Sequence, residues 1–170
     1  LALRSGGVVA SNVERVDVRI FDVAFHIIGG GDEGTKHEVA TKEQADHSLP
    51  YLIAVALLDG RVMPEQFSPA RIVKDDVQRL LRRVRVRPSS LLSARFPREV
   101  PAVVRVTLAD GSAASCARVD FDGFTTRPAT FDGAVRKMRA LSTRYDPSVI
   151  DALIDVVADL EHRDVADVTR

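Results

Sequence analysis

The stretch VRVTLADGSAASCARVDF, residues 104–121, decides the fold. Val104, Val106 and Leu108 alternate with Arg105 and Thr107, the period of a strand with one buried face. The alternation stops at Asp110-Gly111, a dipeptide suited to the tight turn of a hairpin, and resumes on the return at Ala117, Val119 and Phe121. An antiparallel hairpin therefore sits in the middle of the chain.

Working outward toward the start, Val13 to Phe25 predicts another strand, with Val16, Val18 and Ile20 set against Asp17 and Arg19. Gly29, Gly30, Gly31 and Gly34, with Asp32 and Glu33, read as a flexible connector. Thr41 and Gln44 have the spacing of a capping box and open a helix. Pro50 interrupts it, and Ser48 caps a second helix from Leu49 to Leu58, apolar nearly all round and stopped by Asp59-Gly60. Val77, Leu80, Leu81 and Val84 predict an amphipathic helix over Lys74 to Arg83, and from Val84 to Arg87 the period changes to two. Beyond the hairpin, Phe131, Val135, Met138 and Leu141 mark a helix. A last one opens at Asp146-Pro147 with a stripe of Ile150, Leu153, Ile154, Val157 and Leu160. The order β, several α, β, β, β, α, α predicts an α+β fold with a small, mostly antiparallel sheet packed with helices.

Composition narrows the function classes. In 170 residues, 45% are apolar and 28% charged, a balance that suits a soluble globular domain. Lys plus Arg and Asp plus Glu both number 24, so there is no long-range field of the kind a dedicated nucleic-acid binder carries. No apolar run reaches about 18 residues, which argues against a membrane span. Cys116 is the only cysteine, which excludes an internal disulfide and a cysteine-built cluster from one copy. The expectation is a cytoplasmic protein with no nucleic-acid and no membrane partner.

Proton-transfer groups are densest in Ala45-Asp46-His47-Ser48-Leu49-Pro50-Tyr51. His47 and Tyr51 are four residues apart; if helical geometry survives the proline they share a face and form an acid–base pair for a small carboxylate. The competing reading is a capped, kinked helix whose histidine and tyrosine satisfy buried hydrogen bonds. Gly29 to Lys36 fails as a phosphate loop, because Thr35 and Lys36 stand in inverted order and Asp32 and Glu33 repel phosphate. Arg79, Arg82, Arg83, Arg85 and Arg87 form a basic run that reads as the solvated side of one helix and one strand. His26, His37, His47 and His162 are scattered, so no metal site is expected. Cys116 reads as an inert, partly buried thiol.

The run TKEQADHSLPYLIAVALLDG, residues 41–60, resembles the 2-methylcitrate dehydratase family, MmgE/PrpD. The similarity continues through Phe67, the helix from Asp75 to Leu81, the Asp110-Gly111 hairpin, the turn from Gly123 to Pro128 and the Lys137-Met138 pair, where phenylalanine is usual in place of Met138. It covers nearly the whole chain but only the C-terminal, lid-containing part of a family member. The resemblance implies a single α+β domain over residues 1–170, with the helices of 130–170 packing on a missing N-terminal helical domain. It implies a metal-independent lyase without a cofactor, homo-oligomeric, acting on small di- or tricarboxylates. The reactions it implies are dehydration of 2-methylcitrate, decarboxylation of cis-aconitate or epimerisation of iminodisuccinate. It assigns Tyr51 and His47 to catalysis and Asp46 and Ser48 to substrate binding. The chain alone is then expected to be inactive, and the alternative is a non-catalytic subunit that binds a helical partner and contributes to a composite pocket.

Overall fold

In the computed structural model the described residues are 2–32 and 34–163; Leu1, Glu33 and residues 164–170, the end of the stretch expected to be helical, lie outside them. The chain divides into two compact units, Leu1–Phe121 and Asp122–Arg170.

The first unit is a four-stranded sheet with helices. Strands β1 (Val13–Ile20), β2 (Val84–Pro88), β3 (Ala102–Leu108) and β4 (Ala113–Arg118) lie in the order β2-β1-β3-β4. β1–β3 and β3–β4 are antiparallel, and the expected hairpin closes with Val104 opposite Cys116 and Val106 opposite Ala114. β2 joins β1 in parallel, so the sheet is mixed rather than purely antiparallel. A parallel neighbour needs a long crossover, which the segment between Ile20 and Val84 supplies. The architecture is α+β.

Local chemistry explains most element ends. β1 buries Val13, Val16, Val18 and Ile20; its register shifts between Val13 and Arg15, so the extra residue lets Val13 and Val16 both face inward despite odd spacing. The strand expected to reach Phe25 stops at Ile20, and a helical turn at Asp22–Ala24 followed by a wider turn at Phe25–Gly29 replaces its end. On β4 the half-buried side chains are Ala114 and Cys116, and Val119 and Phe121 lie beyond the strand and exposed.

Helix α1 (Lys42–Asp46) has the expected capping box: Thr41 Oγ1 accepts from Gln44 N at 3.3 Å, and Gln44 Oε1 accepts from Thr41 N at 3.1 Å. Helix α2 (Leu49–Asp59) follows, with Ser48 as its cap, and ends at Gly60, whose φ of +74° suits a residue without Cβ. Pro50, Tyr51, Ala54, Val55 and Leu57 of α2 are buried, and it packs on β2 and on α3 (Asp75–Leu81), which buries Val77, Leu80 and Leu81. Full burial of side chains such as Val16, Ile72 and Leu81 contributes about 1.5–3 kcal/mol each to this core.

The second unit holds α4 (Phe131–Leu141), capped by Thr130 on Gly133 N, and α5 (Pro147–Ala158), capped by Asp146 on Ser148 N. α5 buries Ile150 and Ile154 of its predicted stripe, while Val157 and Leu160 are exposed, as are Phe131, Leu141 and Val149. No helix among the described residues is long and apolar enough to cross a membrane.

Candidate functional site

The segment singled out by sequence is the junction of α1 and α2. His47 ends α1 with φ −106° and ψ 19°, and Ser48, extended at φ −119° and ψ 104°, starts α2. Two helices meet here, so the four-residue spacing of His47 and Tyr51 does not put them on one face. The expected convergence assumed one continuous helix, which the Ser48 cap replaces with two, and His47 is exposed where Tyr51 is 0% exposed.

His47 is exposed, and its Nδ1–H donates to the Glu43 carbonyl at 3.1 Å. A carbonyl can only accept, so in the neutral ring Nε2 is left as the proton acceptor. Asp46 is half-buried and pairs with Lys42 Nζ at 2.6 Å. Ser48 is fully buried; its hydroxyl accepts from Tyr51 N at 3.1 Å and donates to the Lys36 carbonyl at 2.6 Å.

Tyr51 is 0% exposed, its ring 6.0 Å from that of Phe67, and its hydroxyl donates to the Gln66 carbonyl. Burial pushes the phenol up to about 12, with the nearby Arg71 charge opposing. Beyond Gln66 lies a charged network. Gln66 Nε2 donates to Asp59 at 3.1 Å, and Arg71 grips Asp59 with Nε at 2.9 Å and Nη2 at 2.6 Å while its Nη1 holds Asp76 at 2.8 Å. The hydrogen bonds from Arg71 hold the Asp59 carboxyl below the usual range. This network fixes the C-terminal end of α2 and the carbonyl that Tyr51 meets.

A second arrangement escaped sequence reading. Along the outer edge of β2 runs a groove of about 570 Å³ whose lining includes the basic residues Lys36, His37, Arg82, Arg85 and Arg87. Its apolar wall is Phe25, Val84 and Val86. The connector after β1 folds back to form the far side: His37 Nε2–H donates to the Val84 carbonyl at 2.8 Å, and Gly29 lies so close to β2 that a Cβ there would sit 3.0 Å from Val86 Cγ1. In sequence Lys36 reads as the end of a flexible connector, His37 as one of four scattered histidines and the arginine run as a solvated side; the fold brings them to one groove. The signal available beforehand was the density of arginines at the start of a strand.

Among the described residues no cluster of three or more His, Cys, Asp or Glu side chains could hold a metal ion.

Residues 1–168 match the MmgE/PrpD C-terminal domain, and the chain belongs to this family. It is 26% identical over 153 residues to cis-aconitate decarboxylase of Mus musculus, an alignment covering 89% of this chain and 30% of that protein. The chain thus spans 30% of the length of the curated relative it matches.

Proposed function

We propose that this chain is the C-terminal domain of a lyase that moves a proton next to a carboxylate on a small di- or tricarboxylate. The observation that carries the proposal is the family membership across residues 1–168. Two reactions fit. In dehydration of a substrate such as 2-methylcitrate, a base takes the proton beside a carboxylate, a double bond forms, and the β-hydroxyl leaves as water after protonation. In decarboxylation of cis-aconitate, the bond to one carboxylate breaks, CO2 departs, and carbon takes up a proton.

His47 and Tyr51 are the proposed proton-transfer groups, with Asp46 as a substrate contact; Ser48, whose buried hydroxyl is engaged by Tyr51 N and the Lys36 carbonyl, serves as a substrate contact only if it gives up one of these bonds, as Tyr51 must. His47 suits the base, because anchoring Nδ1–H on Glu43 leaves Nε2 as the acceptor at the surface. Tyr51 suits the acid, since a phenol pushed up to about 12 keeps its proton at neutral pH. Its hydroxyl must exchange the Gln66 carbonyl for substrate, so assembly of the site on a helical domain, in the same polypeptide or a separate chain, belongs to this reading. The exposed Phe131, Leu141, Val149 and Val157 support such packing.

The hydrogen bond from Tyr51 to Gln66 favours one other reading, in which the phenol is structural and the domain is a non-catalytic part of a composite pocket. The test is to incubate the protein, alone and with a family helical domain, with 2-methylcitrate and with cis-aconitate, following the dehydrated product and CO2. Product from either substrate that falls strongly in His47→Gln supports the lyase reading. Turnover indifferent to His47→Gln overturns the role given to that residue.

A further inference from the structure

We infer that the outer face of the sheet docks an amphipathic helix of a partner protein, with the acidic flank of that helix against Arg19, Arg85, Arg87 and Arg105. The inference concerns the face turned away from Tyr51 and does not rest on the roles proposed for that residue or for His47.

Each strand turns one row of side chains to the helices and the alternate row away from them. Val16, Val18, Val84 and Val106 join the core with Tyr51 and Leu81. The alternate positions put Asp17, Arg19, Arg85, Arg87 and Arg105 together on the outer face, and all four arginines are exposed. Arg85 and Arg87 border the groove at the edge of β2, but they alternate with Val84 and Val86 and so stand on the opposite face from that apolar wall.

The charges on this face are not balanced from within. Asp17 has Arg85 on one side and Arg105 on the other, and Arg19 stands directly beside Arg87. Adjacent strands lie roughly 4.8 Å apart, so Arg19 and Arg87 form a like-charge cross-strand pair, an arrangement that destabilises a sheet. Asp17 is taken by Arg15 Nε at 2.7 Å. Among the described residues, the side chains of Arg19, Arg85, Arg87 and Arg105 form no ion pair and no hydrogen bond. A local cost with no return inside the fold points to a partner that neutralises these groups.

Shape and spacing point to a helix. Beside the arginines the face is low, because β4 presents the exposed, small Ala113, Ser115 and Ala117. A helix about 10 Å across covers two strands of a sheet, so one seated on β4 and β3 brings its flank to β1, with Arg105 and Arg19 against it and the β2 arginines one strand beyond. Carboxylates at i and i+4 of a helix are roughly 6 Å apart along its axis, close to the roughly 7 Å between Arg85 and Arg87 on their strand. Guanidinium forks bind such carboxylates through paired hydrogen bonds. A nucleic acid fits less well: none of these outer positions is aromatic and able to stack on a base, and Asp17 would repel a phosphate backbone.

The test is titration of the protein with a helical peptide that carries glutamate at every fourth position along one flank and alanine and leucine beside it, by calorimetry and by amide chemical shifts. The lysine counterpart of this peptide, a single-stranded oligonucleotide and phosphatidylserine vesicles are the comparison ligands. The glutamate peptide should bind with shifts centred on Arg19, Arg87, Arg105 and Ser115, and more weakly as salt rises. The double variant Arg85→Gln, Arg87→Gln should lose about tenfold in affinity, as expected for lost charge-assisted contacts, while its urea midpoint equals or exceeds that of wild type because the like-charge pair is relieved. Absence of glutamate-peptide binding, shifts centred elsewhere, equal affinity in wild type and the double variant, or tighter binding of any comparison ligand would each overturn the inference. A double variant that unfolds earlier than wild type would show that the arginines serve the fold, and would overturn it as well.

Discussion

The Ser48 hydroxyl donates to the Lys36 carbonyl at 2.6 Å, tying the first turn of α2 to the corner of the cationic groove. One side chain caps a helix with its lone pair and, with its proton, fixes a connector twelve residues upstream. Ser48→Ala removes both bonds, including the one to the part-buried Lys36 carbonyl. The expected cost is about 1–2 kcal/mol, read as a lower urea midpoint with unchanged slope. Amide exchange at Thr35–His37 should accelerate in the same variant; unchanged protection there would mean the connector is held by other contacts.

The Arg71–Asp59 pair gives an acid limb to stability. Hydrogen bonds from Arg71 lower the Asp59 carboxyl in the folded protein, so the folded state binds that proton less readily than the unfolded one. The stabilisation is full above the unfolded carboxyl value, about 4, and is lost as pH falls through the folded value. Asp59→Asn should flatten this limb in a series of thermal melts. At neutral pH, Arg71→Met should cost about 3 kcal/mol, the lower end for breaking a buried pair, since both side chains keep some exposure. A melt series that is parallel for wild type and Asp59→Asn would contradict the assignment.

Tyr51 gives the alkaline limb. Its phenol is raised to about 12 by burial, so the folded state keeps a proton that the unfolded chain releases near 10. Stability from this source is present below about 10 and lost as pH climbs toward 12. Phenolate absorbance should show a step near 12 that is missing in Tyr51→Phe. A single phenolate step at the unfolded value in wild type would show that the ring is open to solvent.

Gly29 offers a steric check on the groove. A Cβ there would lie 2.8 Å from the Phe25 ring and 3.0 Å from Val86 Cγ1. Gly29→Ala should therefore cost about 1–3 kcal/mol, measured by chemical denaturation, as the turn moves off β2. Wild-type stability in Gly29→Ala would show that this turn does not pack on Val86.

What could be read beforehand was local. The box of Thr41 and Gln44, the Ser48 cap, the Asp110-Gly111 turn and the stripes of α3 and α5 each depend on residues a few positions apart. The bulge near Arg15 and the parallel partnership of β1 and β2 depend on distant segments, and with them went the meeting of Lys36 and His37 with the arginines. The pairing of Asp59 with Arg71 was hidden for the same reason. His47 and Tyr51 illustrate a different limit: Ser48 was readable as a cap, and a cap between them already placed the two rings on separate helices. The family resemblance in Thr41–Gly60 was legible because it lies in a contiguous run; what its tyrosine does was not.

The central claim is that Tyr51 gives a proton to the reacting substrate once the site is assembled. Steady-state turnover of Tyr51→Phe, in the protein together with its family helical domain, on 2-methylcitrate and cis-aconitate tests this most directly. The account predicts a fall in kcat of about 100-fold or more, the usual worth of a positioned acid, with a cooperative unfolding transition retained. Wild-type kcat in a folded Tyr51→Phe variant would contradict it and leave the phenol as the structural partner of Gln66.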